Sequence, residues 1–361
     1  MENDVQNIDS QIEIQISAYS DLNTWDDYVS QHTGASAYHR FAWLQAVKDA
    51  YGHDSFGIIA KNKETQSIVG VMPSVLMKTP FLGAQLCALP YCDVGYAIGD
   101  NAEIEEQLRQ YLVKYVSKTN TKKLEVRNID NTAQQPESLK HQKVRMLMPL
   151  PESSEALLAG FKSKLRSQIR KAEKNGLTAV LGTEQKLVDE FYNVYATNMR
   201  DLGSPVHAKK WFQQVIKAYG SNSVIGVVYF DGKAIGAGLV IKNNTNASIP
   251  WASTLREYNK LAPNMLLYWS LLAHCADNSI ECFDFGRSTF EEGTYKFKKQ
   301  WGAEPQLLNW QKYNSAGRPI TEEIDSSQQS KLRSMVESIW QKLPLSITVS
   351  AGSLIRPYIS L

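Results

Sequence analysis

"HRFAWLQAVKDAYG" (39–52) and "HAKKWFQQVIKAYG" (207–220) decide how this chain is read. At a fixed offset of 168, His39/His207, Trp43/Trp211, Gln45/Gln213, Val47/Val215, Ala50/Ala218, Tyr51/Tyr219 and Gly52/Gly220 are identical, seven of fourteen positions without a gap. The same offset pairs Ser55 with Ser223 and Gly70 with Gly238. Two copies at so long a period indicate a duplicated domain, because a short-period array needs three or more repeats to bury its faces.

Outward from the matched helices the copies read alike. Gly52 and Gly220 suit left-handed C-caps. Two β-rich runs follow in each copy, "SFGIIAK" and "SIVGVMPSVLM", then "SVIGVVYF" and "KAIGAGLVIK", the second pair joined by the hairpin signal "DGK" at 231–233. A long helix comes next, 102–118 or 263–278, and then a strand, 123–128 or 281–287. The expected fold is α/β (α+β): two tandem domains, each a mixed, mostly antiparallel sheet flanked by helices. The expected boundaries are 1–150, 151–318 with the chemistry, and 319–361 as linker and amphipathic tail.

The copies differ at the exit strand. Copy two continues as "DFGRSTFEEGTYKFKKQWGAE" (284–304), whereas copy one has only "VRNID". Asp284, between two phenylalanines, reads either as a base with a raised pKa or as a carboxylate capping the next turn or pairing with Arg287. Gly286 admits a ligand to the backbone, and Arg287 beside it can grip a carboxylate or phosphate, or form a structural ion pair. If "GTYKFK" is extended, Lys296 and Lys298 share one face and Tyr295 and Phe297 the other. Two ammonium groups there suit a diphosphate; the alternative is an edge strand guarded by lysines. "FEEG" reads as a polar turn. Asp284, Arg287 and Tyr295 are the catalytic candidates. Trp251 lines a cleft or sits in the core. His39 and His207 share a structural role.

Between the copies, 162–174 holds six bases and one acid. Phe161, Leu165, Ile169 and Ala172 form an apolar stripe, and Lys162, Arg166, Arg170 and Lys174 a basic ridge at spacing four. The ridge is a solvated face or an anion rail. Leu332, Val336, Ile339 and Leu343 stripe a final helix that Pro344 ends, docking on the protein or on a membrane surface.

Composition excludes several classes. A net charge of +2 provides no field for nucleic acid, so any anion site is local and no DNA partner is expected. Cys87, Cys92, Cys275 and Cys282 match no zinc or redox spacing, and no metal is expected. The polar, acidic start is no signal peptide and no run reaches a membrane span, so the expected location is cytoplasmic, with peripheral contact at the inner membrane face as the alternative.

"KSKLRSQIRKAEKNGL", "APNMLLYWSLLAHCADNSIECFDFGRS" and "GTYKFKKQWGAEP", in that order, resemble the Fem-type (FemAB-like) branch of the GNAT acyltransferase superfamily, closest to the exosortase-associated FemAB-related proteins, to which "DLGSPVH" (201–207) also conforms. The resemblance covers most of the chain. It implies tandem GNAT-like domains and acyl or aminoacyl transfer to an amine or hydroxyl of a cell-envelope or exopolysaccharide precursor that carries phosphate or lipid. It implies acyl-CoA or aminoacyl-tRNA as donor co-substrate and no permanently bound cofactor. It places Lys298 and Arg166 near substrate and carries over no other residue; Lys296, Arg170, Trp251 and Gly286 are binding candidates from the reading of the residues themselves. One departure stands out. The expected phosphate-binding turn, "REYNKLAPNMLL" (256–267), has Arg256 and Asn264 but neither glycine, and Pro263 removes a donor. The competing function is a non-catalytic tandem-GNAT scaffold in an envelope-assembly system.

Overall fold

The computed structural model describes residues 11–17, 22–79, 83–130, 139–320 and 327–361, without the side chains of 327–333. The first ten residues and Leu332's side chain therefore lie outside the described part.

Among the described residues, thirteen strands form one sheet. They are β1 (Ile12–Ile16), β2 (Asp54–Asn62), β3 (Ile68–Thr79), β4 (Gly83–Cys87), β5 (Ile98–Gly99), β6 (Thr121–Asp130), β7 (Lys143–Pro149), β8 (Thr178–Gly182), β9 (Ser223–Phe230), β10 (Lys233–Asn243), β11 (Asn246–Thr254), β12 (Cys282–Thr289) and β13 (Glu304–Asn314). Their order is β1-β2-β3-β4-β6-β13-β7-β12-β11-β10-β9-β8, with β5 on β3. Read from either end the sheet is the same: four antiparallel neighbours, a parallel step (β4–β6 or β11–β12), then one strand donated by the other copy. β7 follows β6 in sequence but pairs with β12, while β13 follows β12 and pairs with β6. The two exchanged strands pair with each other in the middle, Glu304–Leu307 against Val144–Leu147. The single sheet is thus mixed and mostly antiparallel, as expected.

The helices follow the repeat. α1 (Leu22–Gln31) and α2 (Phe41–Tyr51) precede β2; α6 (Gln185–Asp201) and α7 (Lys209–Tyr219) precede β9; α3 (Ala102–Lys118) and α8 (Pro263–Asp277) span the parallel steps. α4 (Ser154–Gly160) and α5 (Ser163–Lys174) link the copies, α9 (Gly293–Lys299) joins β12 to β13, and α10 (Ser327–Lys342) and α11 (Leu345–Ile355) end the chain. α2 and α7 hold equivalent places and pack on each other, and the repeat-related Trp43 and Trp211 meet edge to face at 5.2 Å between centroids. Both are fully buried, with Trp251 stacked on Trp43 at 5.9 Å, so the duplicated motif itself builds the core between the copies. Gly52 caps α2 at φ 70°, a left-handed conformation that a Cβ would strain.

α5 forms where the apolar stripe placed it: Leu165, Ile169 and Ala172 are buried against α8. Phe161, just before it, packs on Trp269 and Trp301. Of the tail stripe, Val336 and Ile339 on α10 are more than half exposed, whereas α11 docks on α6, with Gly352 against Val206.

One expectation is overturned. "GTYKFK" is not a strand but the helix α9, its Lys296 N–H bonded to the Glu292 carbonyl at 2.9 Å. Four alternating residues fit either period. The deciding signal is Phe297 and Trp301, four apart, which both reach Tyr268 of α8 as helical neighbours do. Lys296 and Lys298 therefore point apart, the first exposed and the second buried, and no lysine-guarded edge exists there.

Candidate active site

The parallel pair β11–β12 holds only over Asn246–Ser248 and Cys282–Asp284, and then the strands part. Two residues explain the parting. Pro250, two positions beyond the last pair, has no N–H to continue a ladder. Gly286, at φ 73°, carries a bulge: Asp284 opposes Leu147 but Arg287 opposes Arg145, one residue too many on β12. The extra residue brings Arg287 onto the face that Asp284 occupies. Phe285, on the other face, stacks on Tyr268 of α8.

Copy one has the same parting between β4 and β6, but its own chain fills it. Ala88 N–H bonds the Glu125 carbonyl at 2.9 Å, and Gly95 and Arg127 exchange backbone bonds at 2.9 and 3.0 Å. In copy two a cavity of about 240 Å³ lies beside the parting, lined by Tyr38, Asp93, Tyr195, Trp251, Arg287 and Arg356 among others.

Three groups hold the parted edge of β12. Asp93, from the segment that fills copy one's gap, accepts the Arg287 N–H at 2.9 Å and lies 3.6 Å from its guanidinium. Lys298 reaches from α9 and donates to the Gly286 and Arg287 carbonyls at 3.0 and 2.8 Å. Trp310 of β13 bonds the Asp93 carbonyl at 3.0 Å and offers its ring to two guanidiniums, Arg127 at 4.7 Å and Arg287 at 5.0 Å. Arg287 keeps a third of its side chain exposed, with only a loose carboxylate contact, and can take an anion in the cavity.

Burial sets the protonation. It brings the Lys298 ammonium down to about 8, against the pull of Asp93 and Asp284 toward the charged form. It also raises Asp284, although Arg145 at 3.7 Å and the Gly286 N–H at 2.7 Å favour the carboxylate. Asp284 lines a separate cavity of about 260 Å³ with Arg145, Ser248 and Tyr96.

The structure brings together Gly286, Arg287, Lys298 and Trp251, with Asp284 bonded to the Gly286 N–H but lining the separate cavity. It sets the other candidates apart. Arg166 donates to the Ala159 and Phe161 carbonyls at 3.0 and 2.9 Å, capping α4. Arg170 is exposed on α5, and none of that helix's bases has an ion-pair partner among the described residues. Tyr295 packs on Phe290, Lys296 faces outward, Arg256 is exposed and Asn264 opens α8 behind Ala262, which takes φ 63°. "FEEG" is a turn, as expected. His39 bonds the Ser36 N–H and the Tyr96 carbonyl at 3.1 Å each, and His207 meets the Tyr51 hydroxyl at 2.7 Å, both fully buried.

Sequence reasoning missed Asp93, Trp310, Glu125 and Arg127. The reading of copy one as "VRNID" alone is corrected: Arg127, fully buried and 2.6 Å from Glu125, stands where Arg287 stands in copy two. What copy one lacks is the glycine and the lysine. An acid two or three residues before an arginine in both exit strands was the available signal.

The acetyltransferase (GNAT) domain family profile matches residues 159–299. No curated protein matches the chain in sequence. Among solved structures, FemX superposes with a TM-score of 0.63 at 11% identity, over 90% of this chain and 100% of that one. L-PGS from Bacillus licheniformis gives 0.52 at 11%, covering 90% and 98%. A tandem GNAT protein from the clavulanic acid biosynthesis pathway gives 0.50 at 13%, covering 84% and 99%. The parted strands of copy two lie inside the segment that matches the acetyltransferase (GNAT) domain profile, and the chain shares the fold of FemX and of a tandem GNAT protein.

Proposed function

We propose that the chain is an acyl- or aminoacyltransferase that modifies an amine or hydroxyl of an envelope or exopolysaccharide precursor, with the gap of copy two as its reaction centre. One observation carries this reading: of two repeat-related gaps, one is filled by its own backbone, and the other adjoins a cavity with an available arginine. The cleft between parted strands can align a thioester or ester carbonyl with an incoming nucleophile, and this proximity needs no covalent intermediate. Arg287 anchors an anionic acceptor and Trp251 walls it. Asp93 and Lys298 hold the parted edge of β12 in place, acting through Arg287 rather than on substrate. Arg256 and the start of α8, beside α5, are where the phosphates of an acyl-CoA or the backbone of an aminoacyl-tRNA are expected to lie.

The tail supports contact with a lipid-linked acceptor. No described helix is long and apolar enough to cross a membrane, but Met335, Val336, Ile339 and Leu354 are 52–74% exposed. The test is mass spectrometry of envelope and exopolysaccharide precursors from a deletion strain, complemented by the wild type or by Arg287→Ala. A precursor that loses an acyl mass in the deletion, regained with the wild type only, is the expected result. Identical precursor masses in all strains would instead favour the non-catalytic scaffold.

A further inference from the structure

A further cavity serves neither parting. It is a groove of about 780 Å³ in copy one, with Glu105 and Arg109 of α3 on one wall and Asn128, Asn309, Gln311 and Tyr313 of β6 and β13 on the other. Its counterpart in copy two is closed, because α9 packs over β7 and β12 and Trp301 and Phe161 meet there at 5.5 Å.

The wall is chemically specific. Asn128 and Asn309 sit directly opposite in the β6–β13 register. The Gln311 carbonyl oxygen accepts from Asn128 at 3.1 Å and from the Tyr313 hydroxyl at 2.8 Å, which leaves the Gln311 amino group and the Asn128 oxygen unengaged. Asn309 makes no side-chain hydrogen bond among the described residues. The wall thus presents interleaved neutral donors and acceptors. Charges balance, Glu105 and Glu106 against Arg109 and Lys114, and Arg109 is already engaged by Glu106 and Tyr313.

We propose that this groove binds a neutral oligosaccharide. An apolar ligand would strand the amides without partners. A phosphorylated one would meet the Glu105 carboxylate and, with Arg109 taken by Glu106, a single lysine, Lys114, to hold it. An extended peptide adds to a strand edge, and the groove lies on the face where β6 and β13 are paired with each other. Hydroxyls, each donor and acceptor, match the amides. Gly34, Tyr96 and Ile129 line both this groove and the smaller cavity that holds Asp284, so a chain seated here runs toward copy two. The proposal rests on the transferase reading only for its purpose, since the groove is then the acceptor's seat.

The test is a printed array of neutral and acidic glycans probed with the full-length protein, with hits followed by saturation-transfer NMR. Neutral glycans are expected to bind, and Asn309→Leu with Gln311→Leu to weaken them at least about tenfold while the thermal transition is retained. No neutral glycan bound, binding to acidic glycans only, or full binding in the double variant would each overturn the groove. Glycan binding without any acyl transfer would keep the groove and remove the transferase reading; transfer to a sugar-free acceptor without glycan binding would do the reverse.

Discussion

At the scale of single residues, Arg287 and Lys298 now have different tasks. Arg287 is the available cation, so Arg287→Ala should lower the efficiency of transfer about ten- to a hundredfold, the worth of one charge-assisted contact, with the thermal transition little changed. Lys298 satisfies two carbonyls of β12, so Lys298→Ala should cost stability as well, about 1–3 kcal/mol for carbonyls left without a donor, read as an earlier thermal transition. Its titration adds a sign. The folded value is about 8 against 10.5 for a free lysine, so the unfolded chain binds more protons between those values. The stability contributed by this lysine should therefore rise from pH 8 to 10.5, and the gap between wild type and Lys298→Met should shift in favour of wild type over that window. His39 gives the acid counterpart. Burial brings it down to about 4 from 6.5, so stability is lost as pH falls through that range. Denaturant melts of His39→Asn, which keeps the Ser36 contact, should show a shallower acid slope; an unchanged slope would refute the assignment.

At the scale of elements, the bulge on β12 is the device that makes the site. Gly286 has φ 73°, and a Cβ there would lie 3.1 Å from the Asp93 carboxylate that holds Arg287. Gly286→Ala should cost about 1–2 kcal/mol for the left-handed backbone and reduce transfer beyond what that loss explains, because Asp93 must give way. Thermal melts and turnover measured together check this. Part of this element was legible: the glycine beside an arginine marked a ligand approach, and Asp284, Gly286 and Arg287 do gather at the parting. Asp93 was not legible, because "PYCDVGY" has no pattern of its own and reaches β12 across the interface between the copies. Nor was α9, whose alternating lysines and aromatics fit a strand until Tyr268 supplied a partner for Phe297 and Trp301.

At the scale of the whole molecule, the exchange of β7 and β13 binds the copies into one sheet. A fragment 151–361 keeps β13 but loses both neighbours of that strand, and β12 loses β7. Each fragment expressed alone should therefore aggregate through unpaired edges, while 1–150 and 151–361 expressed together should copurify as a one-to-one complex. Size-exclusion chromatography of the coexpressed pair decides it, and a stable, monomeric 151–361 would show that the exchanged strands contribute little.

The duplication, the helices that meet at its centre, the hairpins and the apolar side of α5 were all determined by the sequence itself. Each rests on local periodicity, a cap or a turn, which neighbouring residues specify without reference to the rest of the chain. The tertiary structure alone decided which strand crosses to which copy, which of two like gaps is filled, and which of two lysines is buried. The first depends on pairing between segments more than a hundred residues apart, as when β13 reaches back to β6 and Asp93 forward to Arg287; the other two turn on contacts closer in the chain, Ala88 with Glu125 and Lys298 with Gly286, that no local period specifies. A strand's alternation says which face it buries but not beside whom, because any strand of matching length offers the same backbone bonds.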